Sequence, residues 1–200
     1  MQPMQKSNDI TTEELIQCCL RGDQSAYEAL YHQFAPALVR LCYSLVLHTQ
    51  DAEDVVQDSF VYAFKNLMRF DAQRSSFKTW LYTIALSRCR NVYRSHRRSL
   101  IDLSQVLLPD LPAPDTERPE KNLEWRDAAD AIAASLAELS PRLREVIVLR
   151  HGHGLTYREI AEIVDCPPKT AESRVRLAHE KLRQLLEPRG QMLLEALAWA

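Results

Sequence analysis

Glycine is scarce in this sequence, with only four residues among 200. Long stretches rich in Ala, Leu, Glu and Arg are therefore interrupted by few turn signals, and little in the sequence alternates as a strand would. Hydrophobic residues make up 46% of the chain and charged residues 26%, a balance typical of a globular protein rather than a disordered one. The sequence predicts an all-α fold.

Paired cysteines and metal-binding motifs are also missing. The cysteines are odd in number and show no C-x-x-C spacing, which indicates reduced cytosolic thiols; they are Cys18, Cys19, Cys42, Cys89 and Cys166. Two histidines two positions apart, His151 and His153, do not form a usual zinc arrangement with the distant Cys166. We expect no metal site and place these histidines in a surface loop.

Long hydrophobic runs are absent. The first residues, "MQPMQKSNDITTEEL", contain no apolar segment of signal-peptide length, and no window approaches the length of a membrane span. No motif pairs a nucleophile with a base or offers a phosphate-binding loop. We expect a cytoplasmic protein that is not an enzyme, needs no cofactor and does not insert into a membrane.

One segment, residues 99–125, divides the chain. Four prolines, which remove helix hydrogen-bond donors, crowd into it: Pro109, Pro112, Pro114 and Pro119. The segment contains six acidic residues and only two basic ones. We predict two small helical domains, 1–98 and 126–187, joined by this proline-rich acidic linker and followed by an apolar tail, 188–200.

A basic stretch closes the first predicted domain. Residues 70–98, "FDAQRSSFKTWLYTIALSRCRNVYRSHRR", hold seven Lys or Arg against the single acid Asp71, with aromatic rings between them. Such a mixture suits nucleic acid, because cations attract phosphates and rings stack on unpaired bases. Helical spacing of Phe77, Trp80, Leu81 and Ile84 favours core packing for these four side chains.

An acidic segment, "TQDAEDVVQDSFVYAFKNLMRF", precedes the basic stretch. Asp54, Gln57 and Asp58 lie three or four positions apart and so share one helix face. Compensation of the helix dipole explains Asp51 and Glu53 in the first turn, but it explains Asp58 poorly. Asp58 therefore needs an explanation other than the helix dipole.

The second predicted domain contains a helix-turn-helix pattern. A short helix, "TYREIAEIVDC", is followed by a turn at Asp165 and Cys166 and by a longer helix that begins at Pro167 and Pro168. The longer helix carries Lys169, Arg174 and Arg176 in its first turns, although any helical hairpin with a basic outer helix shows the same pattern.

Three segments together resemble a bacterial sigma-70 family factor of the extracytoplasmic-function (ECF) group: "DAEDVVQDSF", "FKTWLYTIALSRCRNVYRSHRR" and "LSPRLREVIVLRHGHGLTYREIAEIVDCPPKTAESRVRLAHEKLR". The resemblance implies an initiation factor with a region 2 domain, a linker and a region 4 domain. Its partners would be core RNA polymerase and promoter DNA, and an anti-sigma factor is expected on the resemblance alone.

The resemblance also assigns roles to residues. Asp54, Gln57 and Asp58 would dock on the polymerase's largest subunit. The minus-ten element would be held and melted by the helix matching 77–98 and the loop before it, with the candidates Gln73, Arg74, Ser75, Lys78, Arg88, Arg90, Arg94, Arg97 and Arg98. The minus-thirty-five element would be read by Lys169, Thr170, Glu172, Ser173, Arg174 and Arg176.

Some positions depart from the family pattern. "KTAESR" stands where the family has a motif resembling G-T-V-K-S-R, so that Glu172 replaces a base; a glutamate can accept a hydrogen bond from cytosine and so change the preferred sequence. Asp165 stands where a turn glycine is common, although Asp tolerates left-handed geometry. Leu86 and Ser87 stand where the family often has R-N.

Alternatives remain for three features. The acidic linker either threads the RNA path of the polymerase or is an inert tether. The tail either caps the second domain or docks a regulatory partner. The alternative function for the whole protein is that of a helix-turn-helix regulator that acts without polymerase. Such a regulator, however, has no use for the acidic face.

Overall fold

The structure, a computed structural model, describes residues 11–99 and 131–186, and of residues 96–99 it describes the backbone alone. The predicted linker and tail lie outside these residues. Within the described ranges every regular element is a helix and no strand occurs. The prediction of an all-α fold is confirmed for this part of the chain.

The first half is a bundle of four helices and one 3-10 turn. They are α1 (Thr12–Leu20), α2 (Gln24–Val46), α3 (Thr49–Lys65), the turn Leu67–Arg69, and α4 (Phe77–Ser99). Side chains satisfy the free amides at the helix starts: Thr11 and Glu14 form a capping box at α1, and Asp23 accepts from the amide of Ser25 at 2.9 Å. These caps set where α1 and α2 begin.

Pro36 lies inside α2 and does not end it. A proline in a helix interior removes one backbone hydrogen bond and crowds the preceding turn, at a cost of about 3 kcal/mol. Pro36 is on the exposed side, where water can hydrate the carbonyl group left without a donor. A proline at such a position often kinks or restarts a helix, but α2 continues through it without a restart.

The second half contains four shorter helical pieces and a longer last helix. They are the described part of α5 (131–138), α6 (Pro141–Ile147), a π-helical turn (Val148–Gly152), α7 (Tyr157–Val164) and α8 (Pro168–Leu186). Prolines open α6 and α8, as predicted. Asp165 ends α7 in the left-handed conformation, with φ 56°, which confirms that it replaces the turn glycine.

The rings of the basic stretch belong mainly to the core. Phe77, Leu81 and Ile84 are buried on the inner face of α4. Trp80 is half-buried and packs against Phe70 and Phe77, with ring centroids 5.3 and 5.8 Å away. The core interpretation of these four side chains is confirmed, which leaves the cations of α4 as the candidates for nucleic acid.

The two halves pack against each other. Helix α7 lies on α4, and the π-helical turn lies on α2. The buried guanidinium of Arg144 donates to the carbonyls of Leu136 at 2.7 Å and Ala137 at 2.8 Å, at the end of α5, and to Leu45 at 3.0 Å, at the end of α2. One side chain thus caps helix C-termini in both halves, where carbonyl groups lack helical partners.

Candidate polymerase and nucleic-acid interfaces

The acidic face of α3 is exposed. Asp54, Gln57 and Asp58 face solvent, whereas Val55 and Val56 between them are buried. The structure therefore brings together the three residues that the sequence placed on one face. Two carboxylates on a rigid helix form a surface that complements basic side chains of a partner.

Two apolar side chains extend this acidic face. Val61 is 50% exposed and Tyr62 is 42% exposed, one turn beyond Asp58. Sequence reasoning missed them, although their spacing of three and four positions from Asp58 places them on the same side. Exposed aromatic side chains are enriched at protein interfaces, and charged groups are typical of the rim.

The loop before α4 is a compact turn rather than an extended chain. The carboxylate of Asp71 accepts from the amide of Gln73 at 2.9 Å, and the amide of Arg74 donates to the carbonyl of Asp71 at 3.1 Å. Gln73 and Arg74 are exposed and Ser75 is half-buried. Backbone hydrogen bonds therefore hold the three predicted loop residues together at the start of α4.

Two predicted cations of α4 already have partners in the protein. The guanidinium carbon of Arg88 lies 4.8 Å from the centre of the Tyr62 ring. Lys78 Nζ donates to the carbonyl of His153 at 3.4 Å. Arg94 is exposed and contacts only its neighbour Asn91 among the described hydrogen bonds, at 3.4 Å. Arg97 and Arg98 belong to α4, but their side chains lie outside the described part.

Arg90, predicted to contact DNA, forms an ion pair with Glu145 of α6. Its Nε donates to one carboxylate oxygen at 2.8 Å and its Nη2 to the other at 2.7 Å. The side chain of Glu145 is only 6% exposed and that of Arg90 is 33% exposed. Hydrogen bonding to Glu145 raises the pKa of Arg90. In this arrangement Arg90 joins the two halves and is not available to DNA.

A second contact between the halves joins Tyr82 to His153. The hydroxyl oxygen and the imidazole Nδ1 are 3.0 Å apart. Burial raises the pKa of Tyr82 to about 12, and burial together with Lys78 and Arg40 lowers the pKa of His153 to about 4. The prediction of a surface loop was wrong for both histidines: His151 is half-buried in the π-helical turn, and His153 is half-buried and pairs with Tyr82 of α4.

A cleft of about 370 Å³ separates the two halves beside these contacts. Arg90 and Arg94 of α4 line one side, and Arg142 and Arg174 of the second half line the other. Candidate DNA-binding side chains of α4 and α8 thus border the same cleft. No local pattern in the sequence indicates this juxtaposition.

Helix α8 presents its predicted residues outward. Ala171, Val175, Ala178 and Leu182 are buried against the second half. The predicted base-reading side chains point away from that core: Lys169, Glu172, Ser173 and Arg176 are exposed, and Thr170 and Arg174 are half-buried. The helix-turn-helix geometry predicted for α7 and α8 is therefore present, with an open outer face.

The described residues offer neither a metal cluster nor a membrane span. No three His, Cys, Asp or Glu side chains converge in 11–99 or 131–186. One histidine pair, His151 and His179, has its two Nε2 atoms 2.7 Å apart. None of the helices described is both long and apolar enough to cross a bilayer.

Family models match both halves of the chain. The model described as Sigma-70 region 2 matches residues 30–99, and the one described as Sigma-70, region 4 matches residues 129–182. The first range contains the acidic face and α4. The second contains α7 and α8 up to residue 182.

Curated proteins and solved structures agree with these matches. RNA polymerase sigma-H factor of Pseudomonas aeruginosa is 30% identical over 88% of this chain and 94% of its own length. ECF RNA polymerase sigma-E factor of Escherichia coli K12 is 29% identical over 91% of this chain and 97% of its own length.

Two solved structures are similar as well. CnrH, solved with the cytosolic domain of CnrY, is 29% identical with a TM-score of 0.66 over 88% of this chain and 97% of its own. RpoE of Bartonella quintana, solved with the anti-sigma factor NepR, is 28% identical with a TM-score of 0.66 over 80% and 96%. The chain belongs to the sigma-70 family of RNA polymerase sigma factors, in the ECF group.

Proposed function

We propose that this protein is an alternative sigma factor that binds core RNA polymerase and directs it to promoter DNA. The observation that carries the proposal is the pairing, in one bundle, of an exposed acidic helix face with a basic helix. The polymerase supplies the chemistry of RNA synthesis, and this chain supplies recognition. Its place of action is the cytoplasm, where polymerase and promoter meet.

The two halves take different tasks. In residues 1–98, Asp54, Gln57 and Asp58 dock on polymerase, and the loop and cations of α4 hold the minus-ten element. In residues 126–187, α8 reads the minus-thirty-five element. The exposure of Lys169, Glu172 and the neighbouring side chains of α8 supports this second task, because a reading helix must offer its outer face to the major groove.

A helix-turn-helix regulator acting alone is the weaker alternative. It would use α8 but would leave the acidic face of α3, together with Val61 and Tyr62, without a role. An anti-sigma factor is a further partner in this proposal, since the similar RpoE of Bartonella quintana was solved in complex with one.

Replacement of Asp54 and Asp58 by lysine tests the proposal. Both side chains are exposed, so the change reverses the charge of the face without disturbing the core. We expect the double variant to lose binding to core polymerase in a pull-down while its circular dichroism stays that of the wild type. The loss follows from replacing attraction by repulsion at the docking surface.

A matched control is Glu13→Lys with Glu28→Lys, which reverses two exposed acids on α1 and α2. It should bind core polymerase as the wild type does. Unchanged binding by the α3 variant would reject the assignment of this face, and equal loss in both variants would point to net charge rather than to a docking surface.

A further inference from the structure

Helix α8 carries a large apolar side chain on its outer face. Leu177 is 46% exposed, although the buried stripe of the helix, Ala171, Val175 and Ala178, accounts for the packing of α8 on the second half. It lies seven positions after Thr170, three after Arg174 and four after Ser173, so it continues the outer face two turns into the helix.

Leu177 closes a shallow groove of about 310 Å³. The other lining residues are Lys169, Thr170, Ser173 and Arg174. Four of the five residues were assigned to base or phosphate contacts from the sequence, and Leu177 was not. The groove is therefore apolar at one end and cationic at the sides.

This combination fits one chemical feature of duplex DNA. Lys169 and Arg174 attract the phosphate backbone, which brings the groove against the base edges. Among those edges, the major groove offers one apolar group, the 5-methyl of thymine, and apolar side chains recognise it by contact. Leucine has no hydrogen-bonding group, so it contributes nothing to the recognition of a donor or acceptor.

We propose that Leu177 determines specificity in α8 by contacting the 5-methyl group of a thymine in the upstream promoter element. This inference rests on the proposed function of α8 and adds a residue to it. Thr170 also carries a methyl group in the same groove, so the test must separate the two side chains. Burial of one methyl group corresponds to roughly a fourfold change in affinity.

The test uses thymine and uracil, which pair identically and differ only in the 5-methyl group. Holoenzyme reconstituted from the full chain and core polymerase first selects its preferred upstream element from a randomised pool. Each thymine of the selected element is then replaced by deoxyuridine, and relative affinities are measured by competition. We expect one replacement to weaken binding roughly fourfold for the wild type.

Three variants assign the effect. Leu177→Ala should bind thymine and uracil equally at the sensitive position, whereas Thr170→Ser should keep the preference. Leu185→Ala is the matched control, because Leu185 is 42% exposed on the same helix and does not line the groove. It should also keep the preference, and circular dichroism checks that all variants are folded.

The possible failures have different meanings. If no thymine is sensitive, or if Leu177→Ala keeps the sensitivity, the inference is overturned. A third result would also overturn the inference: Leu177→Ala is less stable than the wild type, and the wild type binds thymine and uracil equally. Leu177 would then be covered by another part of the chain rather than by DNA. A pool without any preferred upstream sequence would reject the proposed role of α8 itself.

Discussion

Arg144 is the side chain on which the ends of two helices depend. It is 5% exposed, and burial lowers its pKa. Its guanidinium group satisfies carbonyls at the ends of α5 and α2, which would otherwise be buried without donors. Hydrogen bonds from a charged donor to such groups are among the stronger ones in proteins.

We predict that Arg144→Met destabilises the protein although methionine fills much of the same volume. The carbonyls of Leu136, Ala137 and Leu45 lose their shared donor, and each buried group left unpaired costs about 1–3 kcal/mol. Urea unfolding followed by circular dichroism measures the loss. Arg142→Met, which changes a neighbouring exposed arginine, is the control, and equal effects of the two changes would contradict a special role for Arg144.

His153 makes stability depend on pH. Its folded-state pKa is about 4, below the usual value near 6.5 for an unfolded chain. Between these values the unfolded state binds more protons, so the stabilisation is present above pH 6.5 and is lost as the pH falls toward 4. The same direction holds for His151 and His179, whose pKa values burial also lowers.

We predict that His153→Gln reduces the loss of stability between about pH 7.5 and about pH 5, the range in which an unfolded histidine takes up its proton. Glutamine retains a polar group for the Tyr82 hydroxyl but does not titrate. The measurement is the urea midpoint of wild type and variant at both pH values. This pH range lies above the range in which carboxyl groups with lowered pKa values titrate, so they do not contribute to the difference. Parallel pH dependences of the two proteins would show that His153 does not contribute.

Loop 71–76 and helix α4 are separate elements, and the proposed function gives them separable tasks. The loop is held by hydrogen bonds to the carboxylate and the carbonyl of Asp71, and its polar side chains can hydrogen-bond an unstacked base. Arg94 is exposed near the end of α4, and the sequence continues with Arg97 and Arg98, a cluster of cations that suits attraction of phosphates.

We predict that alanine at Gln73, Arg74 and Ser75 impairs promoter opening but not closed-complex formation. The few kcal/mol needed to unstack a base would no longer be offset by the loop. Permanganate footprinting of holoenzyme should show a defect on duplex promoter that a pre-melted template relieves. If the variant opens duplex promoter as well as the wild type does, this loop does not capture the base. If the defect is equal on both templates, the loop acts in docking rather than in melting.

The matched change is alanine at Arg94, Arg97 and Arg98. It should weaken binding to duplex DNA. The plot of log binding constant against log salt concentration should also become less steep, by about 0.9 in slope for each phosphate that the variant no longer neutralises. A loop variant with the same salt slope as this α4 variant would mean that the two elements are not separable.

The elements followed from the sequence better than the contacts between them. Amphipathic periodicity, acids in a first turn and prolines at helix starts predicted the helices of both halves, because these signals act within a few residues. The π-helical turn was not predicted, since nothing local distinguishes it from α-helix. The partners of Arg90 and His153 were missed because Glu145 and Tyr82 lie 55 and 71 positions away in sequence, and only packing brings them together.

The two described halves, residues 11–99 and 131–186, are in contact, and that arrangement differs from what the proposed promoter reading requires. Elements about 25 base pairs apart, as minus ten and minus thirty-five imply, lie roughly 85 Å apart at about 3.4 Å per base pair. Helices that border one cleft cannot reach both at once. If α4 and α8 engage their two elements as proposed, the ion pair of Arg90 with Glu145 must therefore break.

We predict that Glu145→Gln loosens the contact between the halves of the free protein. Glutamine keeps one acceptor for Arg90 but removes the charge of a nearly buried carboxylate, which weakens a charge-assisted contact by about 1–3 kcal/mol. Small-angle X-ray scattering should report a larger radius of gyration than for the wild type, and Glu162→Gln, at an exposed acid of α7, should leave it unchanged.

Because Glu145 is not among the predicted DNA or polymerase contacts, the Glu145→Gln variant should form holoenzyme at least as readily as the wild type. An unchanged radius would mean that the remaining contacts, Tyr82 with His153 and Arg144 with Leu45, suffice to hold the halves together.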